Sequence, residues 1–324
     1  MRIWFSAPRS IAPTSSRSGL VLCHLGLPLL LLGLTLGGAG QAQAQSAPQA
    51  APQSTSQAAP AAPPQITQAL TQIDAAANQQ DLAALLSFYA PTFTSTDGLT
   101  LRDMEAALRA LWERYPNLSY STRINSWQED GDAIVVETTT TITSAATPVQ
   151  PASQSSPQLA QPSQLSQTPA AEAAPSRTFS LASTITSRQR FESEKIVQQE
   201  ILSERTQLTS GDNPPTLDIS LPQEIRTGQA FDFDAVVREP LGDRLLLGAA
   251  LEEPIRTSGY LNATTVNLEP LSAGGIFKVG RAPMTPDSRW VSAVVVRDDG
   301  ITAITQRLQV SPSGAPQSST PPNR

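Results

Sequence analysis

The chain has 324 residues, with 22 Lys+Arg against 28 Asp+Glu and 39% hydrophobic residues. This is enough apolar material for one or two ordinary cores and too little for a polytopic membrane protein. There is a single Cys and a single His, Cys23 and His24, and their position near the N-terminus restricts the chemistry open to the rest of the chain.

The N-terminus carries Arg2, Arg9 and Arg17 with no acid, then the apolar run from Leu20 to Leu36, then small residues. That order of basic, apolar and small segments is a Sec-type signal peptide. Cleavage is expected after Ala44, because Ala42-Gln43-Ala44 is a good site and Pro28 interrupts the apolar helix. An uncleaved signal anchor is the alternative, since the run is almost long enough to span a bilayer.

Cleavage predicts a protein exported to the periplasm or beyond, with no stable membrane insertion. It also removes both Cys23 and His24, leaving no disulfide, Cys nucleophile, His general base, catalytic triad, or thiolate or imidazole metal site. The mature chain keeps nineteen basic against twenty-eight acidic residues, a net charge of −9. Nucleic acid and anionic surfaces are poor partners for it. Lys195 and Lys278, its two lysines, lie outside any phosphate-binding glycine loop.

Residues 45–64 are almost entirely Ala, Pro, Gln and Ser, which bury too little apolar surface to offset the entropy of ordering. They read as a flexible leader, and 145–176 and 312–324 have the same character. After the leader, Ile66, Ala69, Leu70 and Ile73 recur at helical spacing, and Asp81 is placed to cap "LAALLSFY". Pro91 ends that helix, and "TFTSTDG" has room for a short strand and a turn. Thr100 then caps "LRDMEAALRALWERY", whose Leu101, Met104, Leu108, Leu111 and Trp112 share one face, with Pro116 closing it.

From Leu118 the apolar period becomes two. Two strands flank the turn "QEDGD"; after the 145–176 tract, a third runs from Phe179 and a fourth from Lys195 to Leu208, joined at "FESE". Arg188, Arg190, Glu200 and Glu204 are expected to form cross-strand ion pairs on the solvated face. Beyond "SGDNPP", short alternating strands at turn spacing, ending in two around Asp299-Gly300, read as an immunoglobulin-like sandwich over 211–311 with Trp290 in its core. The acidic turns "QEDGD" and "RDDG" lack the ligand spacing of a calcium loop, so no metal site is expected.

The segments "DLAALLSFYAPTFTSTDG" and "LRDMEAALRALWERYPNLSY", leading into a four-stranded sheet, resemble the nuclear transport factor 2-like superfamily, including the SnoaL-like proteins and ketosteroid isomerase. The resemblance covers roughly 65–210, with 145–176 as an insertion, and extends to secreted cyanobacterial proteins that pair this domain with a C-terminal β-domain. It implies an α+β fold: three N-terminal helices packed on a curved antiparallel sheet (a cone), followed by a smaller all-β immunoglobulin-like sandwich. It also places Asp97 where the isomerase carries its catalytic carboxylate. The position of the isomerase's oxyanion tyrosine falls on or near Ile73, which has no hydroxyl.

Asp97-Gly98 is equally what a plain turn contains. Asp97 is therefore a candidate general base or a turn residue, and Tyr89, Phe93, Asp97, Trp112 and Tyr120 are the candidate pocket residues. Phe88 and Trp112 read more simply as core. The expected function is an exported, non-enzymatic binding protein that takes a protein partner or small apolar ligand in the cone, without a cofactor, and is able to dimerise through its sheet. A SnoaL-like or isomerase-like enzyme using Asp97 is the alternative.

Overall fold

Helix α1 (Pro64–Gln79) opens on a proline, where a missing N–H costs nothing and φ is already helical; Gln80 ends it in the left-handed region. The computed structural model describes residues 61–148 and 178–312, apart from 241, 243 and 263. The signal segment, most of the leader, most of the 145–176 tract and the tail beyond 312 lie outside the described residues.

Asp81 accepts the backbone N–H of Ala84 at 2.9 Å and so starts α2 (Leu82–Leu86). Strand β1 (Tyr89–Ser95) ends in a turn closed by Gly98 N–H donating to Ser95 O, with Gly98 at φ +83. Thr100 and Asp103 form a reciprocal capping box on α3 (Leu101–Arg114). No described helix is long and apolar enough to cross a membrane.

Four long strands come next: β2 (Leu118–Asp130), β3 (Ala133–Pro148), β4 (Thr178–Glu192) and β5 (Lys195–Gly211). They pair antiparallel in chain order, and β1 adds to β5 in parallel. One face of this sheet packs on the helices through Ile66, Leu70, Phe93, Val136, Phe191 and Ile196 at one end and Leu85, Trp112, Ile142, Leu181 and Leu208 at the other. The helical period in the sequence picks out Ile66, Leu70 and Trp112 among these residues.

The remaining elements are β6 (Leu217–Ser220), β7 (Glu224–Arg226), β8 (Ala230–Val237), β9 (Leu247–Pro254), α4 (Thr257–Leu261), β10 (Glu269–Pro270), β11 (Gly275–Arg281), β12 (Arg289–Arg297) and β13 (Gly300–Ser311). They do not build two sheets of their own. Strand β13 hydrogen-bonds along β5 from Gly300 opposite Gly211 to Gln306 opposite Arg205. The result is one sheet in the order β10-β9-β12-β13-β5-β4-β3-β2, with a separate three-stranded sheet β11-β8-β6. Beyond the stretch paired with β1, β5 would otherwise present an unpaired edge; β13 covers it from Arg205 to Gly211.

Because strand side chains alternate, β12 and β13 serve two cores. Val291, Ala293, Val295, Ile304 and Leu308 face the small sheet and pack on Phe231, Phe233, Ala235 and Ile276. Val294 and Ala303 face the other way, into the core beneath the helices. Trp290 and Arg307, directly opposite each other across the β12–β13 ladder, fall in phase with Val294 and Ala303. An arginine is thereby carried to the helix side of the sheet.

Candidate functional site

Two register shifts in β4–β5 set the site. Arg190 pairs Gln198 but Phe191 pairs Ile196, and Thr186 pairs Ser203 but Ser187 pairs Ile201, so β5 carries an extra residue at each place. Each bulge reverses which parity of β5 faces inward. Ile196 is inward; then Gln199 and Ile201; then Glu204, Thr206 and Leu208. Glu200 stays outside and pairs with Arg188, which also holds Glu137, while Arg190 pairs with Asp130 and Glu192. Glu204 departs from the surface ion pairing expected of it: the second bulge turns it inward, 3% exposed.

There it meets a buried polar network. Arg307 donates from Nη1 to Asp97 Oδ1 at 3.0 Å and from Nη2 to Asp97 Oδ2 at 2.6 Å, with the two side chains 2% and 7% exposed. Glu204 Oε2 lies 3.7 Å from the same guanidinium and accepts the Trp290 indole N–H at 3.0 Å. Tyr260, on α4, donates its hydroxyl to Asp97 Oδ2 at 2.6 Å and packs edge-on against Trp290 with ring centroids 4.9 Å apart. Thr257, one turn earlier, donates to Gly98 O at 3.2 Å, fixing α4 over the turn that carries Asp97.

Burial alone would raise the pKa of Asp97, but the Arg307 hydrogen bonds and charge, with the Tyr260 hydroxyl, outweigh it and hold the carboxyl below its ordinary 3.8. Burial, then the negative charges of Glu204 and Asp97, push the Tyr260 phenol well above its ordinary value. Burial opposes the charge on Arg307, yet the hydrogen bond and charge of Asp97 keep it raised. Asp97 is thus a fixed anion with both oxygens engaged. A general base needs a raised proton affinity, and that of Asp97 is lowered.

Beside the network lies a cavity of about 170 Å³. Its apolar wall comes from Phe93 and Leu99, from Met104, Ala107, Leu108 and Leu111 of α3, and from Ile185 and Ile201 of the sheet; its polar side is Ser95, Asp97, Gln199, Glu204 and Tyr260. Ser95 and Gln199 are register partners in the β1–β5 pairing. Among the described residues no group of three or more His, Cys, Asp or Glu is placed to hold a metal ion.

Of the sequence candidates, Phe93 and Asp97 line this cavity and Tyr89, Trp112 and Tyr120 do not. Tyr89 packs edge-on against Phe93 at 5.0 Å. Trp112 is 7% exposed and donates its indole N–H to the Tyr120 hydroxyl at 2.9 Å, and burial pushes that phenol up to about 12. Ile73 packs with Ile66, Leu70 and Phe93. Asp97 sits in a turn, as its Gly98 neighbour suggests, and still points its carboxylate inward. Arg307, Tyr260 and Glu204 were not among the candidates. The one local signal for Arg307 is a charged residue in phase with Ala303 on a strand that is buried on both faces.

Residues 70–199, the stretch in which the helices lie over an antiparallel sheet, match the SnoaL-like domain family. Residues 212–311 match a domain of unknown function (DUF8623). No curated protein matches the chain. Among solved structures it is similar to AclR, a putative hydroxylase from Streptomyces galilaeus, at 16% identity over 42% of this chain and 73% of that one, with a TM-score of 0.27. It is similar to IdmH, a putative polyketide cyclase from Streptomyces antibioticus, at 13% identity over 42% and 90%, TM-score 0.27. It is also similar to an LEH-like epoxide hydrolase of M. tuberculosis, at 10% identity over 42% and 80%, TM-score 0.26. Likeness at this level carries no chemistry over to the chain.

Proposed function

We propose that this is an exported, non-enzymatic binding protein that takes a small apolar ligand in the cavity beside Asp97, with Tyr260 of the C-terminal segment completing the cavity wall. The observation that carries the reading is the engagement of Asp97: its two oxygens accept three hydrogen bonds, two from Arg307 and one from Tyr260. The residue best placed for catalysis is a structural anion, while the apolar wall remains suited to burying a ligand. Export is supported by the signal-like order of residues 1–44.

The test uses toluene. A ligand that binds only the folded state raises its stability by RT ln(1 + [L]/Kd), so toluene is expected to raise the melting temperature of the full chain. Ala107→Phe, which fills the cavity from α3, is expected to abolish that rise. Equal shifts in both proteins, or none in either, would contradict a ligand site here.

The isomerase-like alternative keeps one observation, that Asp97 faces the cavity. It requires turnover of some carbonyl substrate that Asp97→Asn abolishes while the fold survives. Equal turnover by both forms removes it.

A further inference from the structure

One row of side chains on the helix face of the sheet is polar, neutral and short of partners. Ser95 pairs with Gln199 across β1 and β5, and Gln199 pairs with Gln189 across β5 and β4; residues directly opposite each other share a face. Ser95 Oγ accepts the N–H of Leu99 at 3.0 Å and gives its own proton to no described residue. The Gln199 amide lines the cavity and has no hydrogen-bond partner among the described residues. Gln189 is 6% exposed, and its Oε1 is buried without a donor among them. Buried polar groups are normally paired within the protein, so this row marks where a ligand supplies the partners.

The charged side of the cavity, by contrast, is served from within. Asp97 accepts three hydrogen bonds, Tyr260 gives its proton to Asp97 and lies 3.4 Å from Arg307 Nη2, and Glu204 accepts the Trp290 indole N–H beside the same guanidinium. Among the described residues no Lys, Arg or His lines the cavity. A cation would meet carboxylates whose hydrogen bonds are already made, and an anion would meet no counter-charge, so burial favours a neutral ligand.

On the footing that the cavity is a binding site, we propose that it takes a compact apolar carboxamide: one ring, or a branched aliphatic chain of similar size, against Phe93, Leu108 and Ile201, with the amide head on Ser95 and Gln199. The size follows from the volume, since a dry apolar cavity of about 150 Å³ already admits benzene. The head follows from the free groups. A primary amide complements the Gln199 amide in both directions, its carbonyl accepting from Nε2 and its N–H donating to Oε1, while the Ser95 hydroxyl donates to the second lone pair of that carbonyl. An alcohol has one proton to give and satisfies fewer of these groups. A hydrocarbon leaves them all unpaired, and a site built on hydrogen bonds discriminates against such analogues for that reason.

The experiment measures binding of five ring compounds of similar shape to the full chain by calorimetry at neutral pH: benzamide, benzyl alcohol, toluene, benzoate and benzylamine. Benzamide is expected to bind tightest, at least tenfold better than benzoate and benzylamine and better than benzyl alcohol and toluene. Gln199→Met, which removes the amide at nearly constant volume, is expected to weaken benzamide about tenfold without weakening toluene. Retained toluene binding shows that the cavity itself survives in the variant. Should that variant not fold, Ser95→Ala removes the other donor and is expected to weaken benzamide severalfold, again without weakening toluene.

If toluene binds but any of the other three equals or exceeds benzamide, the ligand class is wrong and the cavity reading stands. If benzamide and toluene respond equally to the substitution, the class is likewise wrong. If none of the five binds, the cavity is not a ligand site and both inferences fall.

Discussion

The carboxylate of Asp97 and the guanidinium of Arg307 lie 210 positions apart in the chain and form a two-pronged ion pair with both side chains almost fully buried. Asp97 belongs to the turn after β1 and Arg307 to the last strand, so the pair ties the cone to the segment that completes its sheet. Removing only one partner from a buried pair leaves a charge uncompensated, at a cost of about 3–5 kcal/mol.

Arg307→Met is therefore expected to lower stability by about 3–5 kcal/mol, because Asp97 and Glu204 then face each other across an apolar side chain. Adding Asp97→Asn should restore part of the loss, since it removes one of the two negative charges. Urea titration of the single and double variants measures the coupling, and strictly additive effects would contradict a direct pair.

The same pair predicts how stability depends on pH. Asp97 has a folded pKa below its ordinary 3.8, so its contribution is complete above that value and is lost as pH falls through the folded one. Tyr260 has a folded pKa above its ordinary 10.0, so its contribution is complete below pH 10 and is lost as pH rises beyond it. Melting temperature should fall below about pH 4 and again above about pH 10. Arg307→Met should flatten the acid arm and Tyr260→Phe the alkaline arm.

Much of the fold is decided by residues close in sequence. Asp81, the Thr100 cap and the Asp130-Gly131-Asp132 turn are each settled within four residues, and the structure has them where the pattern puts them. Tertiary pairing is what the pattern leaves open. Glu200 and Glu204 share a parity, so alternation alone puts them on one face; the bulge between Ile201 and Ser203 separates them. Arg307 in "TQRLQV" looks like the solvated side of an edge strand until β13 is known to lie between β12 and β5. Asp97 was legible as a residue and not as a role, because its partners come from α4 and β13.

Where the two segments join, the backbones run too close for side chains. A Cβ on Gly300 would lie 2.4 Å from Pro214 Cα, and one on Gly211, at φ +101, would lie 2.5 Å from Asp299 O. Both contacts are to backbone, so relief requires the strands to part. Gly300→Ala is expected to cost about 1–3 kcal/mol, against less than about 0.5 kcal/mol for a substitution at an exposed surface position. Denaturant midpoints of the two variants make the comparison.

A chain ending at Gly211 tests how far the cone depends on the C-terminal segment. It would lose β13 from the edge of β5, exposing a long row of unpaired backbone groups. It would also lose Arg307, Trp290 and Tyr260, and with them the hydrogen bonds these three give to Asp97 and Glu204. Residues 61–211 alone are expected to be recovered as aggregate or as a partly folded species with little cooperative unfolding. Adding Asp97→Asn and Glu204→Gln should improve recovery by removing the charges, while the open edge should still drive association on size-exclusion chromatography. A monomeric, cooperatively melting 61–211 fragment would show that the cone folds without its C-terminal strand, and that the Asp97–Arg307 pair joins two structures each complete without it.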